Sequence, residues 1–270
     1  MSTIPKPLIS ITTPCWNSAN TIERTINSVL AQEFKDYEYI IVDGGSSDGT
    51  VDIIKKYEPL FEGRMRWRSE PDRGLYDAFN KGIEQSTGRY CWNVNSDDYL
   101  TPNALSIFAD YIKKHPEYLV FSAAMHYVDV NGNWITDSFS SKEREDFNYK
   151  NNGMGVIHPA TIVNKNIYDL YGTYDIRFKI CADIDWFNRI HNKGVPILHL
   201  KEFVITMTDG GISHNSSYVK HARDRWLLFS KRYNNIAVQS YYFIIWSLHF
   251  FKKEIATKSF RGLVLGLKRP

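Results

Sequence analysis

Through residue 125 the chain alternates between short apolar runs and amphipathic stretches of helical period, a rhythm that few architectures accept. Leu8 to Thr13 reads as a buried strand, followed by a helix from Ala19 to Gln32. Tyr39-Ile40-Ile41-Val42 is a second strand and Thr50 to Tyr57 the next helix. Met65 to Ser69 gives a third strand, Leu75 to Ser86 a helix, and Tyr90 to Val94 a fourth strand. Thr101-Pro102 reads as an N-cap with proline at the first helical position, opening a helix to Lys114. Tyr118 to Ala124 closes the series as another strand. Strands separated by helices of this length form βαβ units, and the expected fold is α/β, a Rossmann-like, mostly parallel sheet flanked by helices.

The rhythm then breaks. Asn131-Gly132, set among alternating residues from His126 to Thr136, signals a hairpin. Lys142 to Asn152 is charged and polar and reads as a loop. A second βα-like stretch spans Ile157 to Leu200, with a helix near Ile184 to Asn192 ending at Gly194. From Tyr218 onward the pattern is helical. The expected organisation is one catalytic-sized domain over 1–212 and a helical C-terminal extension over 213–270.

A net charge of +3 argues against a general nucleic-acid binder, which normally shows a strong basic bias. Cys15, Cys91 and Cys181 lie far apart with no CxxC pair, so neither a zinc site nor a redox dithiol is indicated. The start of the chain has no basic segment leading into an apolar stretch, and no run of about 18 apolar residues occurs. A cytoplasmic protein is the expectation.

In an open parallel sheet, ligands sit at the carboxyl ends of the strands, and acidic residues gather there in this sequence. Asp43 follows the second strand and opens Asp43-Gly44-Gly45-Ser46-Ser47-Asp48-Gly49-Thr50, where glycines allow close backbone approach. The same stretch also reads as a turn and helix cap. Asn95-Ser96-Asp97-Asp98 follows the fourth strand. Adjacent carboxylates repel unless a cation or donors offset them, and hard oxygen ligands beside a diphosphate suit Mg²⁺ or Mn²⁺. A polar turn is the plainer alternative. Asp183 and Asp185 fall where a helix begins, either as caps favoured by the helix dipole or as a general base facing an acceptor hydroxyl. His158 and His214 are the histidines of interest, and Trp186 suits either a core or a sugar platform.

Taken together these segments resemble glycosyltransferase family 2, whose members have the GT-A fold. Thr13-Pro14-Cys15-Trp16-Asn17-Ser18 is similar to the family's opening Thr-Pro-x-Tyr-Asn segment, with Trp16 in the tyrosine position. Ser28-Val29-Leu30-Ala31-Gln32 matches its helix end, and Val42 to Thr50 its Val-Asp-Asp/Gly-Gly-Ser-x-Asp-Gly-Thr signature. Glu70 to Ile83 resembles a form found in transferases of capsule, O-antigen and exopolysaccharide synthesis. The resemblance implies that Thr13, Pro14, Trp16, Asn17, Asp43, Gly45, Asp72, Asn95 and Asp97 surround the donor nucleotide, with Arg73 and Asn80 near the diphosphate and sugar. Asp98 is the implied metal ligand, assisted by Asp97 and by His214. Asp183 is the implied catalytic base, with His158, Asp185 and Trp186 on the acceptor side. Two positions depart from the pattern: Asn95 replaces the first aspartate of Asp-x-Asp-Asp, and Ala182 replaces a glutamate before the base.

The implied reaction is inverting transfer of a sugar from a nucleotide-sugar, a UDP-sugar foremost, to a glycan or polyprenyl-linked acceptor. It would use Mn²⁺ or Mg²⁺. Two rivals are a Rossmann-type methyltransferase, whose glycine-rich first turn is missing at Thr13-Pro14-Cys15-Trp16, and a non-catalytic carbohydrate-binding module. The basic, aromatic tail from Val219 suits a membrane interface, making the protein peripheral at the inner membrane face. Packing on the catalytic domain or on a second subunit of a homo-oligomer is the alternative.

Overall fold

The computed structural model describes residues 6–150, 154–211 and 216–266, with side chains to 252. It divides into two compact units, Met1–Asn215 and Ser216–Pro270. In the first unit, β1 (Ile9–Cys15) and β2 (Tyr37–Asp43) are buried at every residue. Strands covered on both faces need not alternate apolar with polar residues, which is why they read as runs. The polar residues within them are satisfied. Glu38 accepts hydrogen bonds from Ser10 Oγ at 2.5 Å and from the Thr87 and Gly88 amides at 2.6 and 3.1 Å, and pairs with Arg66 at 2.5 Å. Burial pulls the Glu38 carboxyl upward, and the Ser10, Thr87 and Arg66 donors outweigh it, holding the group below its ordinary range.

Helices α1 (Ile22–Leu30), α2 (Thr50–Tyr57) and α3 (Leu75–Gln85) connect β1, β2, β3 (Met65–Ser69) and β4 (Tyr90–Asn93). These four strands lie in the order β3-β2-β1-β4 and run parallel. Their carboxyl ends, at Cys15, Asp43, Ser69 and Asn93, therefore share one rim. Across β1, α3 approaches so closely that a Cβ on Gly82 would lie 1.9 Å from Thr12 Cγ2, so only glycine fits.

The rest of the sheet is mixed. After β5 (Tyr99–Leu100) and α4 (Ala104–Lys114) come β6 (Val120–Val128), β7 (Trp134–Ser138), α5 (Lys142–Lys150), β8 (Thr161–Asn164), α6 (Lys165–Tyr171), α7 (Ala182–Asn192) and β9 (Ile197–Thr208). The order continues β4-β8-β6-β9-β5, with β7 on β6. Only β6 and β9 pair in parallel there; β8, β5 and β7 are antiparallel to their neighbours. Parallel pairing thus holds where a crossover helix follows each strand. It gives way where a hairpin or a short connector reverses the chain. The hairpin expected at Asn131-Gly132 joins β6 to β7, with Gly132 at φ 84°.

Two local expectations are corrected. α4 starts at Ala104 rather than at Thr101-Pro102, and one of its orphan amides is met by a residue just past α1: Gln32 Oε1 accepts the Leu105 N–H at 3.1 Å. The Gln32 amide also donates to Ser28 O and Thr101 O at 3.0 and 2.8 Å. The 142–150 segment is helical, not a loop. Its charged residues give no amphipathic stripe, and Glu145 anchors it by pairing with His191 Nδ1 at 2.7 Å and His199 Nε2 at 3.0 Å. Burial pulls the Glu145 carboxyl upward, and the two histidine partners outweigh it, holding the group at about 2.

The second unit consists of α8 (Tyr218–Arg232) and α9 (Ile236–Gly266), packed ring on ring.

Candidate active site

The rim of the parallel strands carries the first part of the site. Asp43 is fully buried at the end of β2. Its carboxylate accepts from the Gly45 and Ser46 amides at 3.1 and 2.9 Å and from the Ser46 and Ser69 hydroxyls at 2.5 and 2.6 Å. Burial raises its pKa, and these donors, Ser46 foremost, outweigh that and leave it lowered. Asp43 therefore stays ionised and shapes the turn that follows it, in which Gly45 takes φ 84°. Asn17, itself at φ 49°, accepts the Ser47 N–H at 3.0 Å and donates its backbone N–H to Ser46 Oγ at 2.7 Å. This ties the turn to the loop after β1. Thr13 and Pro14 are buried within β1, where Thr13 Oγ1 accepts from Tyr39 at 3.1 Å.

Beside this turn Asp72 packs against Gly44, with Trp16 next to both. A Cβ on Gly44 would lie 2.6 Å from Asp72 Oδ2 and 3.4 Å from the Trp16 indole. Trp16 is 66 % exposed, an aromatic surface set against a carboxylate. Asp72 is oriented by the Gly74 amide at 2.7 Å. An aromatic face and a carboxylate about one glycine apart can stack on a planar base and accept from its N–H edge.

The loop between β4 and β5 supplies the second part. Asp98 is 1 % exposed, with one oxygen accepting from Asn95 Nδ2 at 3.0 Å and the other from the Thr208 amide at 3.0 Å. Arg24 and Thr25 of α1 and Thr208 of β9 hold the loop by its backbone: Arg24 and Thr208 donate to Asp97 O, and Thr25 to Asp98 O. Burial first, and then the Asp97 charge, push the Asp98 carboxyl up to about 7. Burial likewise raises Asp97. The Arg24 guanidinium donates to the Asp97 carbonyl and lies 4.5 Å from the Tyr99 ring centre, and it only partly offsets the two carboxylates. Two adjacent, under-compensated carboxyls with an amide oxygen nearby form a hard-oxygen donor set that fits Mg²⁺ or Mn²⁺. Ser18 Oγ lies 2.9 Å from Ser96 Oγ, so the loop after β1 joins both parts. His214, the further metal ligand expected from the sequence, lies outside the described residues.

Asp183 forms the third part, in the first turn of α7. It is half-buried; Oδ1 accepts from the Ile184 amide at 2.8 Å and lies 3.2 Å from the Tyr76 hydroxyl, which also donates to Ile180 O at 2.6 Å. Tyr76 stands two residues after Gly74, so α3 links Asp72 to Asp183. Behind it, His158 is buried with Nε2 2.9 Å from the Tyr174 hydroxyl, its ring edge-on to Phe79 and Phe187. Burial lowers the His158 pKa, against the pull of the Asp183 charge, so at neutral pH it is an uncharged part of the wall.

Four expected site residues also make contacts within the fold. Trp186 is fully buried, donates to Gly172 O at 2.7 Å and stacks on Tyr168 at 4.6 Å; it is core, not a sugar platform. Asp185 is buried and paired with Arg189 at 3.2 Å one turn along, away from an acceptor role. Arg73 is engaged with Asp77 at 2.9 Å, with its side chain 72 % exposed. Asn80 donates to Tyr174 O at 2.8 Å and accepts from Tyr174 N at 2.9 Å, clamping the segment that carries the His158 partner. Asn80→Ala should therefore cost about 1–3 kcal/mol in stability, read as a lower Tm, with UDP affinity unchanged. A normal Tm with weakened nucleotide binding would return Asn80 to the diphosphate. Arg24, Thr25, Tyr76 and Thr208 went unread in the sequence, where nothing local marks them.

Glu145, Asp146 and His191 also present ligand atoms within 4.8 Å of one another, at the far end of α7 from Asp183. The Lys142 ammonium already pairs with both carboxylates there, at 3.4 and 2.9 Å.

A parallel α/β half with carboxylates along its rim, continued by a mixed half, is the architecture of the GT-A glycosyltransferases, and the protein is an enzyme of that class. The model of the glycosyl transferase family 2 matches residues 10–172, more than half of the chain, and the chain belongs to that family. A PGL/p-HBAD biosynthesis glycosyltransferase of Mycobacterium bovis (strain BCG / Pasteur 1173P2) is 27% identical over 212 residues, covering 77% of this chain and 80% of that one. Among solved structures, S. aureus TarS 1-349 in complex with UDP-GlcNAc superposes with TM-score 0.66 and 21% identity over 82% of this chain and 65% of that one. Mannosyltransferase PcManGT from Pyrobaculum calidifontis, in complex with GDP-Man and Mn²⁺, gives TM-score 0.62 and 15% identity, covering 86% and 66%. The chain spans 39% of the longer TarS chain. At these identities the structures speak to the fold alone. Membership of the family removes the methyltransferase and binding-module readings.

Proposed function

We propose that the protein transfers a sugar from a nucleotide-sugar, a UDP-sugar foremost, to a hydroxyl of a glycan or lipid-linked glycan, with inversion, in surface polysaccharide synthesis. The observation that carries this is the Asp97–Asp98 pair, Asp98 buried and Asp97 half-buried, both raised by burial and Asp98 further by the Asp97 charge, at the rim that also holds Trp16 and Asp72 beside Gly44. Trp16 stacks on the base and Asp72 accepts from its edge, while ionised Asp43 fixes the glycine turn at which the backbone approaches the nucleoside. Asp98, with Asp97 and Asn95 beside it, would hold a divalent cation, which would neutralise charge on the departing diphosphate. Asp183 takes the acceptor's proton as the hydroxyl attacks the anomeric carbon. Tyr76 and the Ile184 amide keep its carboxylate aimed, and the uncharged His158 wall limits water behind it.

The support beyond the site is of two kinds. The mycobacterial relative is named for PGL/p-HBAD biosynthesis, and the two structural neighbours hold nucleotide-sugars, one with Mn²⁺. Calorimetry with UDP, GDP and dTDP, with and without Mn²⁺, tests the reading: UDP should bind best, and only with the cation. Metal-independent binding, or none to any of the three, would defeat it. Gly44→Ala places a methyl 2.6 Å from the Asp72 carboxylate, so UDP affinity should fall about tenfold or more at nearly constant Tm. An unchanged affinity would put the base elsewhere.

A further inference from the structure

Over Ile236 to Phe251, α9 carries large apolar residues on more than one side, and α8 covers only one of them. Tyr242 stacks on Tyr233 at 4.7 Å, Trp246 on Tyr218 at 6.0 Å, and Phe243 meets Trp226 edge-on at 5.4 Å. The opposite face is bare. Tyr241, Ile244, Ile245, Leu248 and Phe251 recur at helical spacing and remain 60, 57, 39, 66 and 48 % exposed. A helix face this apolar is normally enclosed by its surroundings, so this stripe requires an occupant.

Charge says which one. Residues 216–270 hold 11 of the chain's 33 Lys and Arg but 2 of its 30 Asp and Glu, giving +9 there against −6 for residues 1–215. Lys220, Arg223, Lys231 and Lys252 are exposed. A second copy presenting the same face would bring two such charges together. A nucleic acid would gain from the charge but would leave the apolar stripe in water. No helix among the described residues is long and apolar enough to cross a membrane.

We propose that the exposed face of α9 lies in the surface of an anionic lipid bilayer, with its apolar and aromatic residues among the acyl chains and Lys252, on the same side of the helix, at the headgroups of a membrane whose charge draws the basic unit. Surface helices that expose apolar and aromatic residues within a basic unit bind interfaces in this way, through buried apolar area and attraction to anionic lipid together. The inference does not depend on the transfer reaction, and neither its success nor its failure bears on that reaction.

Flotation of the full chain with vesicles of phosphatidylcholine alone, or with about a third phosphatidylglycerol, tests it. The full chain should float with the anionic vesicles and hardly with the neutral ones. Ile244→Glu/Leu248→Glu should reduce partitioning at least tenfold, and Lys252→Gln should reduce it about fivefold. These side chains are exposed, and far-UV circular dichroism and Tm confirm that each variant is folded. Absence of flotation with either vesicle overturns the proposal, as does equal flotation of the Ile244→Glu/Leu248→Glu variant. A concentration-dependent dimer in sedimentation, abolished by that variant and accompanied by no flotation, would assign the face to a second copy instead.

Discussion

Asp183→Asn should lower turnover by roughly 10²–10⁴-fold and leave UDP binding where it was. The amide is isosteric with the carboxylate, and its oxygen can still accept from the Ile184 amide that Oδ1 now meets at 2.8 Å. What disappears is the ability to take a proton. A second carboxylate two residues on does not rescue it, because Asp185 is buried against Arg189 at 3.2 Å. The variant also loses a negative charge in the first turn of α7, worth about 0.3–1 kcal/mol of helix-dipole stabilisation, so Tm should fall slightly. Initial rates of transfer, paired with calorimetry for UDP, separate the outcomes. Near-normal turnover would take the proton-accepting role away from Asp183; loss of UDP binding along with turnover would make it a structural residue.

How much of this was legible in the sequence depends on how local each signal is. β1 to β4 and their helices follow from periodicity because each element carries its own apolar pattern, and the rim acids follow from standing just after a strand. β8 and α6 did not separate within the 157–200 stretch, since four buried residues leave no period to read. α4 begins later than its Thr-Pro signal suggests, and the Leu105 amide in its first turn is met by Gln32, just past α1, a partner no local rule includes. The same holds within the site. Asp98 was readable, whereas Thr208, which fixes its carboxylate, lies on β9 and is brought there only by the fold. Tyr76 and Asn80 sit one turn apart on α3, and only the structure shows that the first faces Asp183 and the second grips the Tyr174 backbone. Trp186 could be either platform or core until its indole N–H found Gly172.

Asp98→Asn should have opposite effects on stability and on activity. In the metal-free fold the Asp98 carboxyl sits at about 7, against about 3.9 in an unfolded chain. Between those values the folded protein holds a proton that the unfolded chain has released. Stability from this group is therefore present in acid, lost as pH rises through that window, and fully lost above about 7. With chelator at pH 8 the neutral amide should accordingly give a higher Tm than the wild type, and the gain should shrink by pH 5. Adding Mn²⁺ at pH 8 should raise the wild-type Tm and leave the variant unmoved. Because the proton and the cation compete for one carboxylate, the wild type's apparent Mn²⁺ affinity should fall roughly tenfold for each pH unit below 7. Transfer by the variant should drop roughly 10²–10³-fold, the scale of losing one preorganised electrostatic partner of a leaving group. A wild-type Tm indifferent to Mn²⁺ at pH 8, or a variant that transfers sugar at the wild-type rate, would leave the buried carboxylates without a cation to explain them. Their mutual repulsion would then be a cost of the fold with no return in chemistry.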